Sequence, residues 1–152
     1  MKTFNLLSAA LLFLLAFPAG AESETYGGWL HVDEDSESPR FQVIRNQEEF
    51  QDFLALIPKK RPHKRQPAPP NNDPLLKKNI DFEKQVLVVA IRTQTLSFRP
   101  EYLGTTENDK SITLSFSVPE LKPEARPFGW GVYLAVPVSK TEKELKVVFQ
   151  PE

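Results

Sequence analysis

Gln85-Val-Leu-Val-Val-Ala-Ile91 is an unbroken apolar run introduced by Ile80-Asp-Phe-Glu-Lys84. It is short, Val-rich, free of Gly and Pro, and shows no polar alternation. That composition reads as a strand covered on both faces, because neither side leaves a place for water. A buried helix accommodates similar residues, but helices run longer and are poorer in β-branched side chains. The stretch is therefore taken as the central strand.

Upstream, Phe41-Gln-Val-Ile-Arg45 reads as a short strand leading into a helix. Asn46 is a strong N-cap, Glu49 stands three residues on as in a capping box, and Gln47, Glu48, Glu49 and Asp52 place acceptors near the positive end of the helix dipole. Phe50, Phe53, Leu54 and Ile57 recur at i, i+3, i+4 and i+7, which predicts an amphipathic helix over 47–57. Burial of each of those side chains is worth roughly 1.5–3 kcal/mol, more than helix propensity supplies, so the helix is expected to dock on the sheet. Pro58 ends it.

Between helix and central strand lies Lys59-Lys-Arg-Pro-His-Lys-Arg65, followed by Gln66-Pro-Ala-Pro-Pro-Asn-Asn-Asp-Pro74. Prolines at 58, 62, 67, 69, 70 and 74 suppress helix and sheet, so the region 58–74 is expected to be an extended, solvated basic loop. Lys59, Lys60, Arg61, Lys64 and Arg65 suit an anionic partner such as a phosphorylated lipid, an acidic glycan or a carboxylate-rich protein surface. The plainer reading is a solvated basic loop with no specific partner, and a third is a target for trypsin-like proteases.

Downstream, 92–100 reads as a turn and Glu101-Tyr-Leu-Gly104 as a strand, with Pro100 marking an edge or bend. In Lys110-Ser-Ile-Thr-Leu-Ser-Phe-Ser-Val118, apolar Ile112, Leu114, Phe116 and Val118 alternate with Ser and Thr, so one face is core and the other meets water or a partner. Asn108-Asp109 supplies the turn before it. Gly129-Trp-Gly-Val-Tyr-Leu-Ala-Val-Pro137 and Glu144-Leu-Lys-Val-Val-Phe149 are read as the last two strands, joined by a hairpin-like 139–143. With a first edge strand in Trp29-Leu-His-Val32, the order is β-β-α-β-β-β-β-β. Short connections favour an α+β domain: a mainly antiparallel sheet of about six to seven short strands with one amphipathic helix packed on one face. A small sandwich or partly open barrel is the alternative.

The N-terminus carries Lys2, an apolar stretch over 6–17, Pro18, and Ala19-Gly-Ala21 as a small-x-small cleavage site, the pattern of a signal peptide over 1–21. The apolar stretch falls short of the ~20 residues needed to cross a bilayer core, so no membrane span is expected after cleavage. Removal of the leader leaves a single domain over 22–152 with one core. Lys and Arg number 19 against 20 Asp and Glu, a balance that does not call for nucleic acid. With no cysteine, an exported chain must hold together by packing alone, and thiol nucleophiles and thiolate metal sites are excluded. The composition points to a bacterial periplasm or cell surface, because small proteins of strongly oxidising compartments are often disulfide-rich. The acidic run Asp33-Glu-Asp-Ser-Glu37 lacks the spacing of a calcium loop and is read as a solvated turn.

Four segments, Phe41-Gln-Val-Ile-Arg-Asn-Gln-Glu-Glu-Phe50, the run from Ile80 through Ile91, Arg126-Pro-Phe-Gly-Trp-Gly-Val-Tyr-Leu-Ala-Val-Pro137 and Val147-Val-Phe149, together resemble the C-terminal domain family of the protease-complex subunit PrcB. The resemblance spans about 41–149 and rests on pattern. It implies an exported, non-catalytic domain that assembles or stabilises an envelope or surface protein complex, with a protein partner there. Two departures stand out: 92–103 contains no Gly, where the family carries a glycine-rich turn, and 59–74 looks inserted.

For catalysis there is no Gly-x-Ser-x-Gly elbow, no phosphate-binding glycine loop and no His-Glu-x-x-His, and the histidines are His31 and His63. Asp81 with Glu83 is a conceivable carboxylate pair for a small hydrolase, although Asp81 reads more simply as a turn former before the central strand. No cofactor and no metal site are expected. The other binding reading is a glycan or cell-wall module: Tyr26-Gly-Gly-Trp29 and Phe128-Gly-Trp-Gly131 set Trp29 and Trp130 beside glycines, which permits sugar rings to approach the backbone. Aromatics in such places more commonly close a core.

Overall fold

The computed structural model describes residues 24–33, 36–122 and 128–152. Its elements are β1 (Tyr26–His31), β2 (Arg40–Ile44), α1 (Gln47–Ala55), a 3-10 turn (Pro74–Lys77), β3 (Gln85–Thr93), β4 (Glu101–Glu107), β5 (Ser111–Val118), β6 (Trp130–Ser139) and β7 (Glu144–Pro151). The strands form a four-stranded sheet in the order β1-β6-β3-β2 and a three-stranded sheet in the order β4-β5-β7. Every pairing is antiparallel except β5 with β7.

The central-strand reading holds. From Val86 to Thr93 every residue of β3 is buried. Leu87, Val89 and Ile91 join Phe50 and Phe53 of α1 and Tyr133 of β6 in one apolar cluster. Val88 and Ala90 point the other way, into a second cluster with Ile112, Leu114 and Phe116 of β5 and Leu134 and Val136 of β6. The helix thus covers one face of the four-stranded sheet and the three-stranded sheet covers the other.

The helix begins where its capping chemistry dictates. The Asn46 side chain accepts from the Glu49 N–H at 2.9 Å. Glu49 in turn accepts from the Arg45 N–H at 2.7 Å and from the Asn46 side-chain amide at 3.1 Å, so the box closes one residue earlier than in the usual arrangement. Phe50 and Phe53 are its buried residues, and Ile57 joins the same cluster from just beyond the helix end.

Two expectations are corrected. The strands divide into two sheets, and 139–143 is not a hairpin. β6 already has β1 on one side and β3 on the other, so no edge remains for β7. The chain crosses instead to the free edge of β5 and runs parallel to it, where Leu145, Val147 and Phe149 pack against the second cluster.

The proline-rich region is likewise not an extended arm. The chain folds back on itself: Arg61 N–H donates to Pro69 O at 3.0 Å, Asn71 N–H to Lys59 O at 2.9 Å, and the Asn71 side-chain amide to Pro58 O at 2.8 Å. Proline lacks an N–H but keeps a carbonyl acceptor, so a proline-rich limb still pairs when its partner supplies the donors.

Candidate interaction surface

The fold-back of 58–74 sets Lys59, Lys60, Arg61, Lys64 and Arg65 outward, all of them exposed. Their chemistry is that of solvated cations. His63 fixes the tip, its Nδ1 accepting from the Arg65 N–H at 3.1 Å. At the base, His31 N–H donates to Leu56 O at 2.8 Å, which ties the end of β1 to the turn leaving α1.

That tie brings distant parts of the sequence together. A cleft of about 280 Å3 is lined by Lys59, Lys60 and Arg61 from the loop, by His31 from β1 and by Trp130 from β6. His31 and Trp130 are opposite each other in the β1–β6 register, and their ring centroids lie 4.6 Å apart. Trp130 therefore shares a surface with three of the five cations.

Trp29 does not join them. It is half-buried, and its indole N–H donates to Leu96 O at 3.1 Å, anchoring the segment after β3. Of the glycines beside the two tryptophans, Gly28 and Gly131 are crowded by the protein's own groups, while a Cβ on Gly129 would meet only Val32 O at 3.9 Å. A Cβ on Gly28 would lie 1.8 Å from Asp73 Oδ2, and one on Gly131 would lie 2.6 Å from Arg92 O. The close approach that Gly28 and Gly131 permit is used internally.

Asp73, at the far end of the loop, is buried beneath β1 and β6. Its Oδ1 accepts from the Tyr133 hydroxyl at 2.7 Å and from the Leu75 N–H at 2.9 Å, while Oδ2 has no partner among the described residues. Burial, and next the bond to Asp73, pushes the Tyr133 phenol far above its ordinary value. The loop is thus fixed at one end by the turn beside β1 and at the other by a carboxylate inside the fold.

Asp81, weighed above with Glu83, serves the turn before β3. Its carboxylate accepts from the Glu83 N–H at 3.1 Å and meets Lys84 at 3.2 Å, and the Lys84 hydrogen bond, with that of Glu83, holds it below the usual carboxylate range. Among the described residues no three His, Asp or Glu side chains gather as metal ligands. The middle of the acidic run 33–37 and the expected signal peptide over 1–21 lie outside the described residues.

The geometry defines a small layered β-rich domain with a cationic loop and an aromatic cleft at its base. No family model, no curated protein and no solved structure matches the chain.

Proposed function

We propose that this is an exported, non-catalytic protein-interaction domain that assembles or stabilises a protein complex of the bacterial envelope, with the 58–74 loop as a contact surface for an acidic protein. The observation that carries the reading is the loop's own backbone ladder, which holds five exposed cations on a preformed frame. A preformed loop loses less conformational freedom on binding than a flexible one. The resemblance to the PrcB C-terminal domain family supports the same role, including a protease complex as the assembly served.

Purification of the tagged protein from its own envelope fraction tests this. An acidic protein that co-elutes at low salt and is released by added salt is expected, since exposed charges are screened over about 8 Å at physiological ionic strength. Recovery of the protein with no such partner, or with Met1 retained instead of Glu22 at its N-terminus, would sink the proposal.

A second reading is favoured by one observation, the placement of Trp130 beside Lys59–Arg61 in a single cleft. A glycan bearing carboxylates would meet both a ring and cations there. Retention on cell-wall material that disappears in Trp130→Ala, with protein capture intact, would select it.

A further inference from the structure

Arg92 occupies a setting unlike that of any loop cation. It directly follows the apolar run of β3, on the side of the strand that faces the second sheet, and is 7% exposed. Its guanidinium donates through Nη1 to Pro119 O, and among the described residues it meets no carboxylate within ion-pairing distance. Burial depresses its pKa. A guanidinium has five donors, and among the described residues its hydrogen-bond acceptor is Pro119 O.

This side chain lines a cleft of about 510 Å3 between the start of β2 and the end of β7. The apolar walls are Pro39, Val118, Leu121 and Phe149, and Leu121 is 48% exposed. Of the outermost strands, β7 contributes Phe149 and Pro151 to the cleft, while Pro39 lies just before β2. Glu120 and Glu152 also line it, and Glu152 accepts from the Ser117 hydroxyl at 2.8 Å.

From these observations we infer that the Arg92 cleft binds the C-terminal carboxylate of a peptide ending in an apolar residue. The planar guanidinium matches a carboxylate through paired hydrogen bonds, and those bonds are strongest where water is excluded. The apolar walls take the last side chain. A free strand edge offers backbone groups to the residues before it, the chemistry of strand addition. That edge favours a peptide over a fatty acid, which has no amide groups to pair. Glu120 and Glu152 disfavour ligands with further negative charge and favour a basic residue upstream. This site is separate from the 58–74 loop and stands or falls without it.

The test is calorimetric titration of the full chain with acetyl-Lys-Ala-Ala-Leu as the free acid, as its C-terminal amide, and with decanoate. Saturable binding of the free acid is expected, weakened on the order of 10- to 100-fold by amidation and likewise by Arg92→Met, which retains the apolar length of the side chain. Leu121→Asp, at an exposed position, should weaken binding without affecting folding and guards against a structural effect of Arg92→Met. Equal binding of acid and amide, no binding of either, or binding of decanoate alone would overturn the inference.

Discussion

The β3–β6 ribbon and the 58–74 loop are two ways of ordering a chain. Side chains of the ribbon enter two apolar clusters, one under the helix and one under the second sheet. The loop is ordered by its own backbone bonds and by one buried carboxylate, with its cations left in water. Stability therefore concentrates in the ribbon, and charge for a partner concentrates in the loop. Substitutions in one region are expected to leave the property of the other unchanged.

The largest effect is expected on the helix side of the ribbon. Phe53 is 1% exposed and meets the Tyr133 ring edge-on at 5.2 Å between centroids. Phe53→Ala should lower stability by about 3–5 kcal/mol through the cavity it leaves. A loss under about 1 kcal/mol in urea unfolding would show that this layer is not where the stability resides.

Next come the groups where ribbon and loop meet. Gly28→Ala would drive a methyl into Asp73 Oδ2 and should destabilise by about 1–3 kcal/mol, read as a lowered urea midpoint. Tyr133→Phe removes a donor from a buried carboxylate and should also lower stability by about 1–3 kcal/mol. Its sign with pH is fixed: the folded phenol holds its proton more tightly than the ordinary value of about 10.0 in the unfolded chain. The Tyr133 contribution is therefore complete below about pH 10 and is lost as pH rises beyond it. Unfolding followed from neutral to alkaline pH should fall less steeply in Tyr133→Phe than in the parent. Identical slopes would remove Tyr133 from the account.

The body of the fold was legible in the sequence because local rules and tertiary demands agree there. A β-branched run with no polar alternation has to be covered twice, and Asn46 with Glu49 marks a helix start whichever sheet the helix meets. Partner choice was not legible. Leu145, Val147 and Phe149 share one face of β7 whether it pairs with β6 or β5, and only the occupied edges of β6 decide between them. The proline count indicated a break in regular structure, yet it could not indicate that proline carbonyls would accept from Arg61 and Asn71. Of the candidate site residues, Trp130 meets the loop cations while Trp29 is engaged by Leu96. Arg92 and Asp73 carry only a faint sequence signal, a lone charge ending an apolar run and an Asp among prolines. What the sequence lacks is the spatial pairing that buries them.

The smallest stability effect and the largest binding effect are expected from one variant. Replacing Lys59, Lys60, Arg61, Lys64 and Arg65 together by Ser removes exposed charge and no apolar burial, so the urea midpoint should shift by no more than about 0.5 kcal/mol in stability. The decisive measurement is capture of the proposed acidic envelope partner by parent and five-fold variant across a salt series. The expected result is salt-sensitive capture by the parent and none by the variant at any salt, with equal stability of the two proteins. Equal capture by both at low salt would contradict the claim that the loop is the contact surface.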